Sequence, residues 1–194
     1  MRYALGGRRR LLAGLLALCA VTTTAGATPA HAAAAPAART AGATCDGGAT
    51  GAVTSSTDTA RTVLCLLNRI RSRHDLRPLQ GSAKLRKAAL RHSRDMVRRG
   101  FFDHDSPGGG DLVSRARAAG YIRAGVGWTV GENIAWGSGR LATPASIVDA
   151  WMHSAGHRHN ILSPAFRDLG VGVALGTPRG GGGATYTTDF GALR

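Results

Sequence analysis

The periodicity of the apolar residues changes along this chain, and that change restricts the fold more than any other feature. Up to about residue 162 most apolar side chains recur three and four residues apart; from Leu169 onward they alternate. Val63, Leu64, Leu67 and Ile70 define a first helix over 58–74, with Thr57 or Asp58 available as N-cap and Pro78 beyond its end. Ser82 caps a second helix that reaches about Arg99, with Leu85, Ala89, His92 and Met96 on one face and Gly100 as its stop. A third, short helix over 111–119 turns Leu112, Ala116 and Ala119 inward and ends at Gly120. Thr143 followed by Pro144 is an N-cap with proline at the first helical position. The helix it opens runs to Met152 or His153 and buries Ile147, Val148, Trp151 and Met152; residues 154–162 continue as a turn and a short helix, stopped at Ser163-Pro164.

The segments LGVGVAL (169–175) and ATYTTDF (184–190) read as two strands joined by a glycine-rich turn at Gly180 to Gly183, and 128–136 reads as a short strand or an extended loop. Proline and three successive glycines make FFDHDSPGGG (101–110) a loop. Helices first and strands last predict an α+β domain, with helices packed on a small antiparallel sheet.

The first 32 residues have a different character. Arg8, Arg9 and Arg10 precede the apolar stretch from Leu11 to Val21, and Ala30-His31-Ala32 is a small-residue cleavage site. This is the pattern of a secretory signal peptide, through the Sec or the twin-arginine route, and the apolar run is too short for a membrane span of about 20 residues. No transmembrane segment is expected once the leader is removed, and the product is expected to be secreted, extracellular or attached to the cell envelope. Residues 33–56 are rich in Ala, Gly and Thr and nearly free of bulky apolar side chains, as expected of a flexible linker. Residues 57–194 then form one domain of ordinary size. Cys19 leaves with the leader, and in an exported chain the remaining Cys45 and Cys65 predict one disulfide.

Loss of the leader removes four Arg and no acid, leaving 21 basic against 11 acidic residues, net +10. Eleven of the basic residues fall between Arg69 and Arg99, against Asp75 and Asp95. Two amphipathic helices place most of them on solvated faces. Such a surface suits anionic cell-wall polymers or lipid headgroups; without aromatic platforms among the arginines, and in an exported chain, intracellular nucleic acid is excluded as a partner.

Against this charge stands Glu132, in VGENIAWG, the one glutamate of the chain. His104, His153, His157 and His159 lie near loops or helix ends. A carboxylate and two imidazoles from separate segments, if they converge, make a cation site or a general acid/base pair. His153 and His157 are four apart, but no HExxH exists and Gly156 interrupts them, so helix-end hydrogen bonding is the plainer reading. His92, on an apolar stripe, reads as a core histidine. Gly180 to Gly183 open no helix and no Gly-Lys-Ser/Thr follows, so a hairpin turn suffices there and no phosphate loop is predicted. Ser106, Ser154 and Ser163 are the serines available as nucleophiles, and Gly-x-Ser-x-Gly is absent.

Six motifs occur in order: CLLNRIRSRHDLRPL, ALRHSRDM, FFDHDSP, VGENIA, WMHSAGHRHNIL, and LGVGVAL with TTDFG. Together they resemble a bacterial secreted CAP domain, of the cysteine-rich secretory protein, antigen 5 and pathogenesis-related 1 superfamily, also called the SCP domain, over about residues 60–192. The resemblance implies a three-layer α-β-α sandwich with a central antiparallel sheet. It also implies a cleft with two histidines and two acidic residues, sometimes holding zinc or another divalent cation. His104, Glu132 and His157 match three of these four, with His104 and His157 as the metal ligands. The second glutamate of many members falls where this chain has Ser154, leaving Asp103, Asp105 or Asp149 as substitutes. The resemblance further implies ligand binding in the cleft, with a lipid, a cell-wall component or a divalent cation as ligand. The competing expectations are a metal-dependent, peptidase-like hydrolase using the same residues and a basic module adhering to the envelope. A monomer is expected.

Overall fold

The computed structural model describes Cys45, Thr50, Val53 and residues 55–194. The expected leader and most of the expected linker lie outside the described residues.

Helix α1 spans Ser56–Ser72, and its N-cap is Ser55, whose side chain accepts from the Asp58 amide. That corrects the expected Thr57 or Asp58: three candidate caps close together differ only in which one takes the extended conformation. Strand β1 (Gln80–Gly81) follows, then α2 (Ala83–Arg99) between its Ser82 cap and the left-handed Gly100. The chain continues through α3 (Leu112–Ala118), β2 (Trp128–Gly137), a 3-10 turn over Gly139–Ala142, α4 (Pro144–His153) and α5 (Ala155–Leu162). Strands β3 (Asp168–Leu175) and β4 (Ala184–Leu193) complete it. The disulfide between Cys45 and Cys65 is formed and fastens the segment before α1 onto that helix.

The sheet order is β1-β3-β4-β2. β4 pairs antiparallel with both β3 and β2, whereas β1 pairs parallel with β3 over two residues, so the sheet is mixed rather than purely antiparallel. Two residues are too few to leave an alternating signal, and β1 is therefore invisible in the sequence.

The alternation in LGVGVAL sorts the two faces. Leu169, Val171 and Val173 point with Tyr186 and Phe190 of β4 into the main core, where Val63 and Leu67 of α1, Ile147, Val148 and Trp151 of α4, and Ile161 of α5 close over them. On the other face Gly170 and Gly172 present no side chain, and α2 lies directly against them. A Cβ at Gly172 would overlap the backbone of Ala89 and Leu90, and one at Gly170 that of Leu85 and Arg86. Ser93 of α2 donates to the Gly172 carbonyl and is hydrogen-bonded to the Thr187 hydroxyl, so the close contact is hydrogen-bonded as well as packed. Leu85, Ala116, Tyr121, Ile122 and Val130 form a smaller core under α2 and α3. The result is three layers: α2 and α3, the sheet, then α1, α4 and α5.

Strand β2 is a sheet edge, and edges need cover for their backbone groups. Asn160 of α5 supplies part of it, donating to the Glu132 carbonyl and to Asn133 Oδ1, while Asn133 donates to the His157 carbonyl. These bonds bring α5 to one side of β2 as the 101–110 loop and α3 reach the other.

Candidate functional site

A cleft of about 820 Å³ opens over the edge strand, lined by Asp103, His104, Asp105 and Asp111 with Leu112, Val113 and Val130, and, opposite, by Ser154, Gly156, His157 and Asn160. Its size is that of a small-molecule site. His104, Glu132 and His157, from three separate segments, all line it.

Glu132 faces the α2–α3 side of the sheet, and its side chain is only 3% exposed. His104 Nδ1 lies 2.8 Å from Oε1, and Arg115 Nη2 donates to Oε2 at 2.6 Å. Arg115 Nη1 also donates to the His104 and Gly110 carbonyls, so one guanidinium from α3 fixes both the carboxylate and the loop that carries the imidazole. Burial by itself would raise the Glu132 carboxyl. The His104 hydrogen bond and the Arg115 charge outweigh it and hold the group below the ordinary carboxylate range. An ionised Glu132 accepts, so His104 carries a proton on Nδ1. His157 is held below its ordinary value by burial first and by His104 second, which keeps it neutral near pH 7.

Sequence reasoning missed Arg115, because the helical pattern counted only Leu112, Ala116 and Ala119 as inward. It also missed Arg71, which is fully buried in α1 and donates to the carbonyls of Arg77, Ile161 and Ser163, anchoring the C-terminal end of α5. The remaining candidates separate cleanly. Asp103, Asp105 and Ser154 line the cleft; Asp149 is exposed on α4 beside His153, whose Nδ1 bonds the Asp149 carbonyl as a helix-end histidine does. The break between α4 and α5 falls at Ser154, whose extended backbone caps both helices, rather than at Gly156. His92 is buried, pushed down by burial, and bonds the Asp103 carbonyl through Nε2, as a core histidine. Ser106 and Ser163 do not line the cleft.

For a divalent cation the donor set is short. Catalytic zinc sites use three protein ligands. Here both Glu132 oxygens are engaged, two imidazoles are on offer, and among the described residues no group of three His, Cys, Asp or Glu is placed to hold a metal ion. The residues do not fit such a centre.

A three-layer α+β sandwich with a histidine–carboxylate cleft over an edge strand defines the class, and comparison with known proteins places the chain within it. The sequence model of the cysteine-rich secretory protein family, CAP, matches residues 64–189, and the chain belongs to that family. An uncharacterized protein YkwD of Bacillus subtilis (strain 168) is 42% identical over 110 residues, 57% of this chain and 40% of that one. An uncharacterized membrane protein YlbC of the same strain is 34% identical over 60% of this chain and 32% of its own length. The chain thus spans well under half of these relatives. Among solved structures, an extracellular protein containing an SCP domain from Bacillus anthracis superposes with TM-score 0.57 at 31% identity, over 70% of this chain and 40% of that chain. An outer surface protein from Borrelia burgdorferi superposes with TM-score 0.61 over 72% of this chain and 96% of its own, but at 15% identity it supports the fold alone.

Proposed function

We propose that this domain works at or outside the cell envelope by binding a ligand in the cleft between His104, Glu132 and His157. The observation that carries this is the cleft itself, in which an apolar wall of Leu112, Val113 and Val130 faces polar groups from the 101–110 loop and α5. Such a lining suits an amphiphile, with its apolar part on that wall and its polar end toward His104 and His157. The sign of that polar end follows from the rim. Asp103, Asp105 and Asp111 collect there on an otherwise strongly basic protein, so a neutral or cationic head group is favoured over an anionic one. An anionic cell-wall polymer would instead find its complement on the basic helices. An extracellular setting is supported by the leader-like start and by the B. anthracis neighbour, an extracellular protein. No described helix is long and apolar enough to cross a membrane.

Calorimetric titration with lipids of neutral, cationic and anionic head groups tests this. Binding of the first two, abolished by Leu112→Asp and weakened by His104→Ala, supports the cleft; equal binding by all variants overturns it.

The His104–Glu132 pair favours one further reading, hydrolysis, because an imidazole oriented through Nδ1 by a carboxylate presents Nε2 as a general base. Under that reading Ser154 or a water is the nucleophile. Glu132→Gln should then reduce turnover of peptide or ester substrates by roughly 10²-fold or more, and turnover unchanged in that variant removes the role.

A further inference from the structure

Asp103, Asp105 and Asp149, the sequence's candidates for the fourth member of this site, all lie outside the sheet. The sheet holds a better one. In the β2–β4 ladder Asp189 is the direct partner of Glu132, so the two side chains stand on the same face, with cross-strand Cβ atoms roughly 5 Å apart. Asp189 is fully buried, and neither of its carboxyl oxygens has a hydrogen-bond donor among the described residues.

An ionised carboxylate in that position, next to an ionised Glu132, has no hydrogen-bond donor among the described residues. From β3 the register partner is Gly170, which has no side chain. From α3, Arg115 lies near, but its terminal nitrogens are committed to Glu132, His104 and Gly110, and its Nε donates to no described oxygen. From α2, His92 is kept neutral by burial and gives its Nε2 to Asp103. From β2 comes only the negative charge of Glu132. A buried carboxyl without donors is satisfied by keeping its proton and donating it, and the acceptor beside it is Glu132.

We propose that Asp189 is the second carboxyl of this cleft: a neutral acid beneath the edge strand that donates its proton to Glu132 and so fixes the carboxylate that orients His104. It is a positioning residue, since it lines no part of the cleft. Glu132 then accepts from three directions, His104, Arg115 and Asp189, which agrees with its low titration. Asp189 is correspondingly pushed well above the carboxylate range, by burial first and the Glu132 charge second, against a smaller opposing effect of Arg115. The functional meaning rests on the cleft reading above, but the protonation state does not, and its test needs no ligand.

The test compares the wild type with Asp189→Asn by urea denaturation across pH 4 to 8. Asparagine is neutral at every pH and also donates. If Asp189 is protonated in the folded chain and ionised in the unfolded one, the folding constant of the wild type relative to the variant falls tenfold per pH unit above about 3.9. The variant should match the wild type at the acid end and become progressively more stable above it. A ratio that stays flat or rises with pH means that Asp189 is ionised when folded and overturns the proposal. Should Asp189→Asn fail to fold, Glu132→Gln gives the same answer from the other side. It removes the neighbouring charge, so the fall in wild-type-like stability with pH should shrink, and an unchanged pH dependence counts against the pair. The positioning role has its own readout, the ¹⁵N NMR tautomer of His104. The Nδ1–H form should persist in Asp189→Asn and be lost to a tautomer mixture in Asp189→Leu; a His104 indifferent to both variants leaves Asp189 no positioning role. If stability and tautomer behave as expected and lipids still fail to bind, the cleft reading falls and the carboxyl pair stands.

Discussion

Replacing Arg115 by methionine should separate a working charge network from an incidental one. The guanidinium is 10% exposed and its partner Glu132 3%, so neither is bathed in water. Methionine keeps most of the volume but leaves Glu132 without the arginine that pairs with it and strips donors from two carbonyls. Removing one member of a buried pair typically costs about 3–5 kcal/mol, against about 0–1 kcal/mol for an exposed pair. We expect the upper range at pH 7. The sign of the pH dependence follows from the low titration of Glu132. Its ionised form contributes stability that is fully present above the unfolded glutamate value near about 4.3 and is lost as pH falls through the folded one. The gap between wild type and Arg115→Met should therefore narrow in acid, where a protonated Glu132 no longer needs the guanidinium. Urea denaturation followed by fluorescence of the buried Trp151 measures it, and the double variant Arg115→Met/Glu132→Gln should recover most of the loss. A cost below about 1 kcal/mol that is independent of pH would refute the description of Glu132 as a buried, ionised, cation-held group.

Two further outcomes test the frame around the site. Gly172→Ala places a methyl into the backbone of α2 at Ala89 and Leu90, so it should cost about 3 kcal/mol or prevent folding, read as the urea midpoint, whereas Gly182→Ala, with open space around it, should stay within about 0.5 kcal/mol. Serine at both Cys45 and Cys65 opens a link of sequence separation 20 and should lower stability by about 3 kcal/mol, with the circular dichroism of the folded state unchanged.

What the sequence revealed, and what it hid, follows from how far each signal reaches along the chain. Ser82, Gly100, Thr143 and Pro144 act on their own neighbours, and the helices they bound lie where their chemistry places them. The L-G-V-G-V alternation announced a strand, though not that its glycines exist to admit α2. His104, Glu132 and His157 could be named from motifs, while their approach depends on the Asn160 and Arg71 bonds that seat α5, contacts spanning 27 to 92 residues of chain. Arg115 was hidden because an arginine beside an apolar stripe looks like any solvated arginine. Asp189 did leave a signal: an aspartate inside a strand buried on both faces has to be neutralised by something. Identifying that partner required the register of β2 on β4, which no local pattern specifies.

On the proposed function, the cleft over β2 rather than the basic helices is the binding surface. Amide and methyl NMR shifts recorded while titrating the folded protein with a neutral short-chain phospholipid test it most directly. Perturbations should concentrate at Leu112, Val113, Val130, His104 and His157, with α2 residues such as Arg91 and Arg94 unmoved. Shifts confined to the exposed face of α2, with the cleft silent, would contradict it.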